Sequence, residues 1–296
     1  MPVTKLVGIL GWPVEHSRSP AMQNAAFRAA GLDWRYEALP VEPERFEQLV
    51  RELSGRGFIG ANVTIPHKLR ALEVADSASD VARLVGAANT LVFGDDTVHA
   101  HNTDVEGILE ALRERAPGSP NAMRALVLGA GGAARAAVWA LASGGAGRVD
   151  VWNRHPERAR RLVADLAPRT TAVLEPIAEP DLSAVDLVVN ATSVGMAPTM
   201  GPQAGTEDRP ETDFKELRLS ADEFQDRHTV VDLVYRAGGT WLVRTARERG
   251  LVCVDGIDVL VHQGAASFRL WTGEEPSLEA MRVGAGDGAQ DQGGEA

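Results

Sequence analysis

The stretch "NVTIPHK", Asn62 to Lys68, brings an amide, a hydroxyl, an imidazole and an ammonium together behind the apolar "FIGA". Pro66 prevents the segment from running on as helix or central strand. A short apolar strand that ends this way can deliver polar groups to a cleft. The plain alternative is a solvated strand-to-helix turn with an ordinary surface lysine. A lysine delivered to a cleft can act as a proton donor. Such a donor can neutralise negative charge that develops on a bound oxygen. An unperturbed lysine, with a pKa of about 10.4, is a sluggish acid. Burial or positive neighbours would help it, whereas a close carboxylate works the other way.

A second group of residues concerns phosphates. Gly129, Gly131 and Ala134 fit G-x-G-x-x-A, directly after the apolar "RALVL" and directly before "ARAAVWALA". The first glycine permits a tight turn, and the second lets a pyrophosphate approach the backbone at a helix N-terminus. The small third residue permits close helix-to-strand packing. The alternative is a tight turn in an unliganded α/β domain. The next strand, "RVDVWNR", ends in Asn153-Arg154, where an NAD domain usually carries an acid for the ribose 2′-hydroxyl. Without a carboxylate there is no repulsion of a 2′-phosphate, and Arg154 and Arg158 could bind one through charge-assisted hydrogen bonds. This favours NADP over NAD. The competing reading makes "RHPERARR" the solvated face of a surface helix.

The elements that must position these groups alternate. "TKLVGILGWP" reads as a buried strand broken at Gly11 and Pro13. "SPAMQNAAFRAAG" reads as a helix with Ser19 as N-cap, Pro20 at its first position and Gly31 as its stop. "WRYEALPV", "EPERFEQLVRELSG" and "FIGANVTI" continue as strand, helix and strand, which predicts a parallel α/β domain. A helical stretch around "ASDVARLVG" precedes "NTLVFG" and "TVHAHNT", which flank Asp95-Asp96 as a hairpin. "VEGILEALRERA" is the next helix, and "PGSPNA" reads as a linker. A second alternation runs from "MRALVL" through "LVCVDG", and "VLVHQGAASFRLWTG" follows as an apolar helix. The acidic stretch from Pro198 to His228 reads as a long loop with room for one short helix. From about Gly284 the chain is nearly without apolar residues and is expected to be a disordered tail.

The bulk numbers restrict the function classes. At 296 residues the chain suits two domains of ordinary size. A formal charge of -11 argues against a nucleic-acid binder. One cysteine, Cys253, excludes an intramolecular disulfide and a multi-cysteine zinc site, and fits a reducing compartment. No apolar run reaches the length of a membrane span and no signal segment opens the chain. A cytoplasmic protein is expected.

Several segments, in order, resemble the shikimate dehydrogenase family: "GWPVEHSRSP", "NVTIPHK", "GAANTL", "NTD" at 102–104, "GAGGAAR", "NRHPER", "NATSVGM", "DLVY" at 232–235 and "DGIDVLVHQGAASF". Together they cover nearly the whole chain. The resemblance implies an α/β fold of two domains. Residues 1–104 with 256–283 would form the substrate-binding, catalytic domain, and 105–255 a Rossmann-like NADP domain. A C-terminal helix would return to the first domain, residues 284–296 would be the tail, and the active site would lie in the cleft.

The implied reaction is reversible reduction of 3-dehydroshikimate to shikimate by NADPH, a step of chorismate and aromatic amino acid biosynthesis. Lys68 and Asp104 match the family's catalytic pair. Ser17 and Ser19 match the hydroxyls for the substrate carboxylate, and Thr64, Asn89, Asp104 and Gln263 match groups for the ring hydroxyls. Asn62 and Tyr235 line the same pocket. The implied NADP(H) site comprises Gly129, Ala130, Gly131, Gly132, Ala133, Ala134, Asn153, Arg154, Arg158, Thr192, Ser193, Met196 and Gly256. Asp104 is assigned to orientation and substrate hydrogen bonding, with shared proton handling by the pair as the alternative. Apart from the resemblance, Asp104 reads as an N-cap ahead of "VEGILEAL".

Other signals point elsewhere or nowhere. His99 and His101 alternate on one strand face, but no further ligand at metal spacing accompanies them, so no metal is expected. His16 and His67 are expected behind the residues that line the pocket or at its rim. Met196 borders the nicotinamide or packs in a core. A sibling oxidoreductase acting on quinate or an amino-substituted shikimate would keep Lys68 and Asp104. A silent dinucleotide-binding regulator would have lost one of them. No nucleic-acid or membrane partner is expected, and either a monomer or a homodimer fits.

Overall fold

The computed structural model describes residues 4–196, 210–236 and 238–286. Two compact units emerge: 1–103 with 260–296, and 104–259.

The first unit begins with β1 (Lys5–Gly11), α1 (Ser19–Ala29), β2 (Trp34–Pro40), α2 (Phe46–Gly55), β3 (Phe58–Val63) and α3 (Lys68–Glu73). It continues with β4 (Ser77–Ala78), α4 (Asp80–Val85), β5 (Thr90–Gly94) and β6 (Thr97–His101). The sheet order is β2-β1-β3-β5-β6-β4. β2, β1 and β3 run parallel, as the strand-helix alternation predicts, but β5 is antiparallel to both β3 and β6, so the sheet is mixed. The hairpin expected at Asp95-Asp96 accounts for the reversal between β5 and β6, because a two-residue connection can only turn the chain back, and Asp96 takes φ 56° there. Leu10, Phe46, Val50, Leu53, Ala61 and Leu91 fill the core on the α2 face.

The second unit opens with α5 (Asp104–Arg115), β7 (Arg124–Leu128), α6 (Gly132–Ser143), β8 (Arg148–Trp152), α7 (Pro156–Leu166) and β9 (Val173–Pro176). β10 (Leu187–Asn190), α8 (Pro210–Leu217), β11 (Thr229–Asp232), α9 (Trp241–Glu248) and β12 (Val252–Val254) complete its alternation. Its six strands lie in the order β12-β11-β10-β7-β8-β9 and all pair in parallel. The chain starts in the middle at β7, winds outward through β8 and β9, then returns to the other side of β7. That reversal puts a topological switch point between β7 and β10. β7 and β10 are buried along nearly their whole length, as central parallel strands must be. β9 escapes the sequence reading because its four residues alternate only weakly. α8 supplies the short helix allowed within the acidic stretch, while residues 198–209 of that stretch lie outside the described residues.

α10 (Gly256–Thr272) and α11 (Leu278–Ala285) end the chain. α11 overturns the expected start of the tail, because Gly284 and Ala285 are helical. Ser277 caps the helix by accepting from the Ala280 N–H, Met281 and Ala285 are buried, and Gly286 closes it in the left-handed conformation. The glycine that looked like disorder is a helix stop. Residues 287–296 lie outside the described residues. Among those described, no helix is long and apolar enough to cross a membrane.

Candidate active site

In the first unit the polar groups gather where β1 and β3, neighbours that run parallel, both end. The backbone carries the pairing past the strands: the Thr64 N–H donates to the Leu10 carbonyl at 2.8 Å, and the Trp12 N–H to the Ile65 carbonyl at 3.0 Å. After Pro66 the His67 N–H turns back onto the Thr64 carbonyl, and α3 starts at Lys68. The Lys68 carbonyl accepts from the Ala88 N–H at 2.8 Å, which fixes the main chain beneath a half-buried side chain. His67 takes the expected place behind the turn and not the one at the rim. It is buried, its Nε2 lies 2.9 Å from the Val41 carbonyl, and its ring stacks on Phe46 at 4.5 Å. Burial pushes its pKa down, so it is a neutral strut under the turn. His16 is exposed.

Ser17 and Ser19 sit in the connection after β1. Ser19 does not cap α1 as expected. It is the first helical residue, Arg18 occupies the cap position, and the Ser17 hydroxyl accepts from the Ser19 N–H at 3.2 Å. The helix starts one residue before the expected position, because Ser19 already takes helical geometry ahead of Pro20.

A buried polar network lies behind these groups. Asn89 Oδ1 accepts from the Thr103 N–H at 2.7 Å, and its Nδ2 donates to Thr103 Oγ1 at 2.9 Å and to Gln263 Oε1 at 3.2 Å. Asn62 Oδ1 accepts from the Tyr36 hydroxyl at 2.8 Å, and its Nδ2 donates to Ser267 Oγ at 2.8 Å and Thr90 Oγ1 at 3.0 Å. An amide has two N–H donors, and both of Asn62's are engaged within the protein. Tyr36, Thr90, Thr103 and Ser267 join this network, and none of them stands out in the sequence. Thr103 stood inside the quoted "NTD", and Ser267 lies one helical turn beyond Gln263.

In the second unit Asp104 is the first residue of α5, so the helix begins at it and not after it. It is buried, follows the anchored Thr103 directly, and lies at a helix amino end, where a carboxylate is favoured. Tyr235 is half-buried beyond β11.

The glycine turn leaves β7 at the switch point. Gly129 takes φ 117°, and a Cβ there would stand 2.8 Å from the Ala191 carbonyl oxygen, so only glycine fits. Gly131 is different: a Cβ there would meet nothing within 4 Å. Local packing gives no reason for that glycine, whereas a pyrophosphate lying on the turn does. Ala134, on the inward side of α6, is fully buried. Ala130, Gly132 and Ala133 complete the turn and the first residues of the helix. Asn153 follows β8, its Nδ2 donating to the His155 carbonyl at 3.0 Å. Arg154 and Arg158 are exposed, whereas Arg160 on the same helix pairs with Glu157.

Thr192, Ser193 and Met196 form the loop after β10. Asn190 Oδ1 accepts from both the Thr192 N–H, at 3.1 Å, and its hydroxyl, at 2.7 Å. Met196 is 49% exposed, which removes the packed-core alternative. Gly256 begins α10, where a Cβ would lie 2.5 Å from the Val234 backbone. These residues fit a bound NADP(H): an uncrowded turn for the pyrophosphate, two exposed guanidinium groups beyond β8 for a 2′-phosphate, and an anchored loop after β10. Among the described residues no three His, Cys, Asp or Glu side chains converge as metal ligands.

Comparison with known proteins follows the same division. Residues 9–91 match the model described as shikimate dehydrogenase substrate binding domain. Residues 111–199 match the one described as shikimate / quinate 5-dehydrogenase, and 256–282 that described as shikimate 5'-dehydrogenase C-terminal domain. A shikimate dehydrogenase (NADP(+)) of Methanopyrus kandleri is 42% identical over 94% of both chains. The crystal structure of shikimate 5-dehydrogenase from Thermus thermophilus in complex with NADP(H) and shikimate superposes with a TM-score of 0.79. It is 37% identical and covers 96% of this chain and 99% of that one. Quinate dehydrogenase from Corynebacterium glutamicum in complex with NAD reaches the same TM-score at 29% identity, covering 95% of this chain and 98% of that one.

Proposed function

This chain belongs to the shikimate dehydrogenase family, and from that premise we propose how its residues divide the work of an NADP-dependent oxidoreductase acting on shikimate. The reaction is reversible: 3-dehydroshikimate gains a hydride at its ring carbonyl carbon and a proton at the oxygen, giving shikimate. NADPH supplies the hydride from its nicotinamide when bound. Lys68 supplies the proton through its ε-ammonium and, in the oxidative direction, takes it back from the ring hydroxyl. Asp104 accepts a hydrogen bond from a ring hydroxyl of the substrate. Its part is orientation and substrate hydrogen bonding.

Ser17 and Ser19 take the substrate carboxylate as hydroxyl donors, and Thr64, Asn89 and Gln263 take the ring hydroxyls. Tyr235 borders the pocket. Asn62 holds Thr90 and Ser267 in place beside the pocket. In the second unit Arg154 and Arg158 bind the 2′-phosphate, with Asn153 beside them, and the 129–134 turn binds the pyrophosphate. Thr192, Ser193, Met196 and Gly256 border the nicotinamide side.

One observation supports this most: Lys68 starts a helix whose entry is stitched to β1 and to the segment leading into β5, at the carboxyl ends of parallel strands where α/β ligands bind. The test is purified protein with 3-dehydroshikimate and NADPH, with the product identified by mass and chromatography. Consumption of NADPH matched by shikimate formed is expected. No NADPH consumption, or a product other than shikimate, would remove the assignment.

A further inference from the structure

The "DLVY" segment carries an acid to which the mechanism assigns no task. Asp232 ends β11 and is fully buried. Three donors converge on it: Asn190 Nδ2 at 2.9 Å and the Val234 N–H at 3.0 Å on Oδ1, and the Thr240 hydroxyl at 2.6 Å on Oδ2. All three give hydrogen bonds to the carboxylate, so the arrangement is built for an acceptor at this place and not for an apolar side chain.

The partners lead toward the nucleotide-binding turn. Asn190 ends β10, and its amide oxygen holds the Thr192 N–H and hydroxyl while its Nδ2 donates also to the Val194 carbonyl at 3.1 Å. The Thr192 hydroxyl in turn accepts from the Val194 N–H at 3.0 Å. The next link is backbone: the Ala191 N–H donates to the Leu128 carbonyl, and the Ala191 carbonyl is the group that forbids a Cβ at Gly129. A continuous rail therefore crosses the carboxyl ends of β11, β10 and β7: Thr240, Asp232, Asn190, Ala191, Gly129. On the far side, Thr240 caps α9 by accepting from the Val243 N–H at 3.2 Å.

We propose that Asp232 is a positioning residue for NADP(H) binding: through Asn190 it sets the 191–196 loop against the Gly129 turn. It touches neither substrate nor cofactor. The inference rests on the NADP reading of the glycine turn and adds to it the residue that holds the turn's neighbour in place. An acceptor at the Oδ1 position is the essential feature. Asparagine supplies that acceptor in the same volume, whereas alanine leaves Asn190 Nδ2, the Val234 N–H and the Thr240 hydroxyl without this acceptor, which is costly for buried donors.

The test is the NADPH dissociation constant, by fluorescence titration, and the shikimate KM, for the wild-type protein, Asp232→Asn and Asp232→Ala. Wild-type protein binds NADPH. Asp232→Ala is expected to raise the dissociation constant about tenfold or more while moving the shikimate KM less than about threefold, and Asp232→Asn to stay within about threefold of wild type on both; a tenfold change corresponds to about 1.4 kcal/mol, in the range of one lost buried hydrogen bond. If Asp232→Ala does not fold, Asn190→Ala decides, with the same selective loss of NADPH affinity expected. Unchanged NADPH affinity in the folded alanine variant, or equal losses for NADPH and shikimate, would overturn the positioning role while leaving the NADP reading intact. A wild-type protein that binds no NADPH would overturn both.

Discussion

At the level of single residues, the account rests on Lys68 and on two arginines. A positioned general acid is worth about 10²- to 10⁴-fold in rate. Lys68→Ala is therefore expected to lower kcat by that factor while the NADP KM stays within about threefold, measured by initial rates. An equal loss in kcat and in NADP affinity would point to damage spread through the protein. Arg154 and Arg158 stand exposed beyond β8, where they can meet a phosphate. A hydrogen bond to a charged group is worth about 1.5–3 kcal/mol, so Arg154→Ala or Arg158→Ala should raise the NADP KM by about 10- to 100-fold. The NAD KM should stay nearly constant, since NAD carries no 2′-phosphate. Unchanged KM values for both cofactors would return this pair to the solvated surface.

Elements show how much could be read beforehand. The glycine turn was legible because a strand, a spaced pair of glycines and a helix followed one another in "RALVLGAGGAARAAV". The structure adds a distinction no spacing carries: Gly129 is demanded by the Ala191 backbone, and Gly131 faces open space. Gly129→Ala would need φ 117° from an L-residue and press its Cβ on a backbone oxygen, so a loss of about 2 kcal/mol or more in stability is expected, read as a lower denaturation midpoint. Gly131→Ala should leave stability within about 1 kcal/mol and weaken NADP binding instead, the cost falling on the ligand that needs the space. The hairpin at Asp95-Asp96 was legible from its turn residues. What it does to the sheet, turning an otherwise parallel array mixed, depends on β5 pairing with β3, a long-range choice that local pattern does not encode. α11 was missed for a local reason, since Gly284 and Gly286 read as tail composition while its burial against α1 appears only in three dimensions. The network around Asn62 and Asn89 was half legible: the motifs named the asparagines, but that Asn62 is spent on Tyr36, Thr90 and Ser267 depends on which side chains meet across the sheet.

For the molecule as a whole, the buried acid couples stability to pH. Burial pushes the Asp232 carboxyl up to about 7, against the lowering effect of Thr240, Val234 and Asn190. Asp255 raises it further, and Asp255 is itself paired with Arg247 of α9 at 2.6 Å. The Cys253 thiol, pushed up to about 12 by burial, stays neutral throughout. Between about pH 4, where the unfolded carboxyl loses its proton, and about pH 7, the folded chain holds one proton more than the unfolded chain. Stability from this group therefore falls as pH rises through that window and levels off above it. Asp232→Asn, which cannot ionise, should show a flatter dependence of melting temperature on pH over the same range. Parallel curves for the two proteins would contradict the assignment.

The most direct measurement is a set of initial rates for the unaltered protein with shikimate or quinate and with NADP or NAD. The highest kcat/KM is expected for shikimate with NADP; NAD in place of NADP should lower it by about 10-fold or more, and quinate with NADP should also be poorer. Faster turnover of quinate would contradict shikimate as the substrate, and equal or faster turnover with NAD would contradict the phosphate-binding role of Arg154 and Arg158.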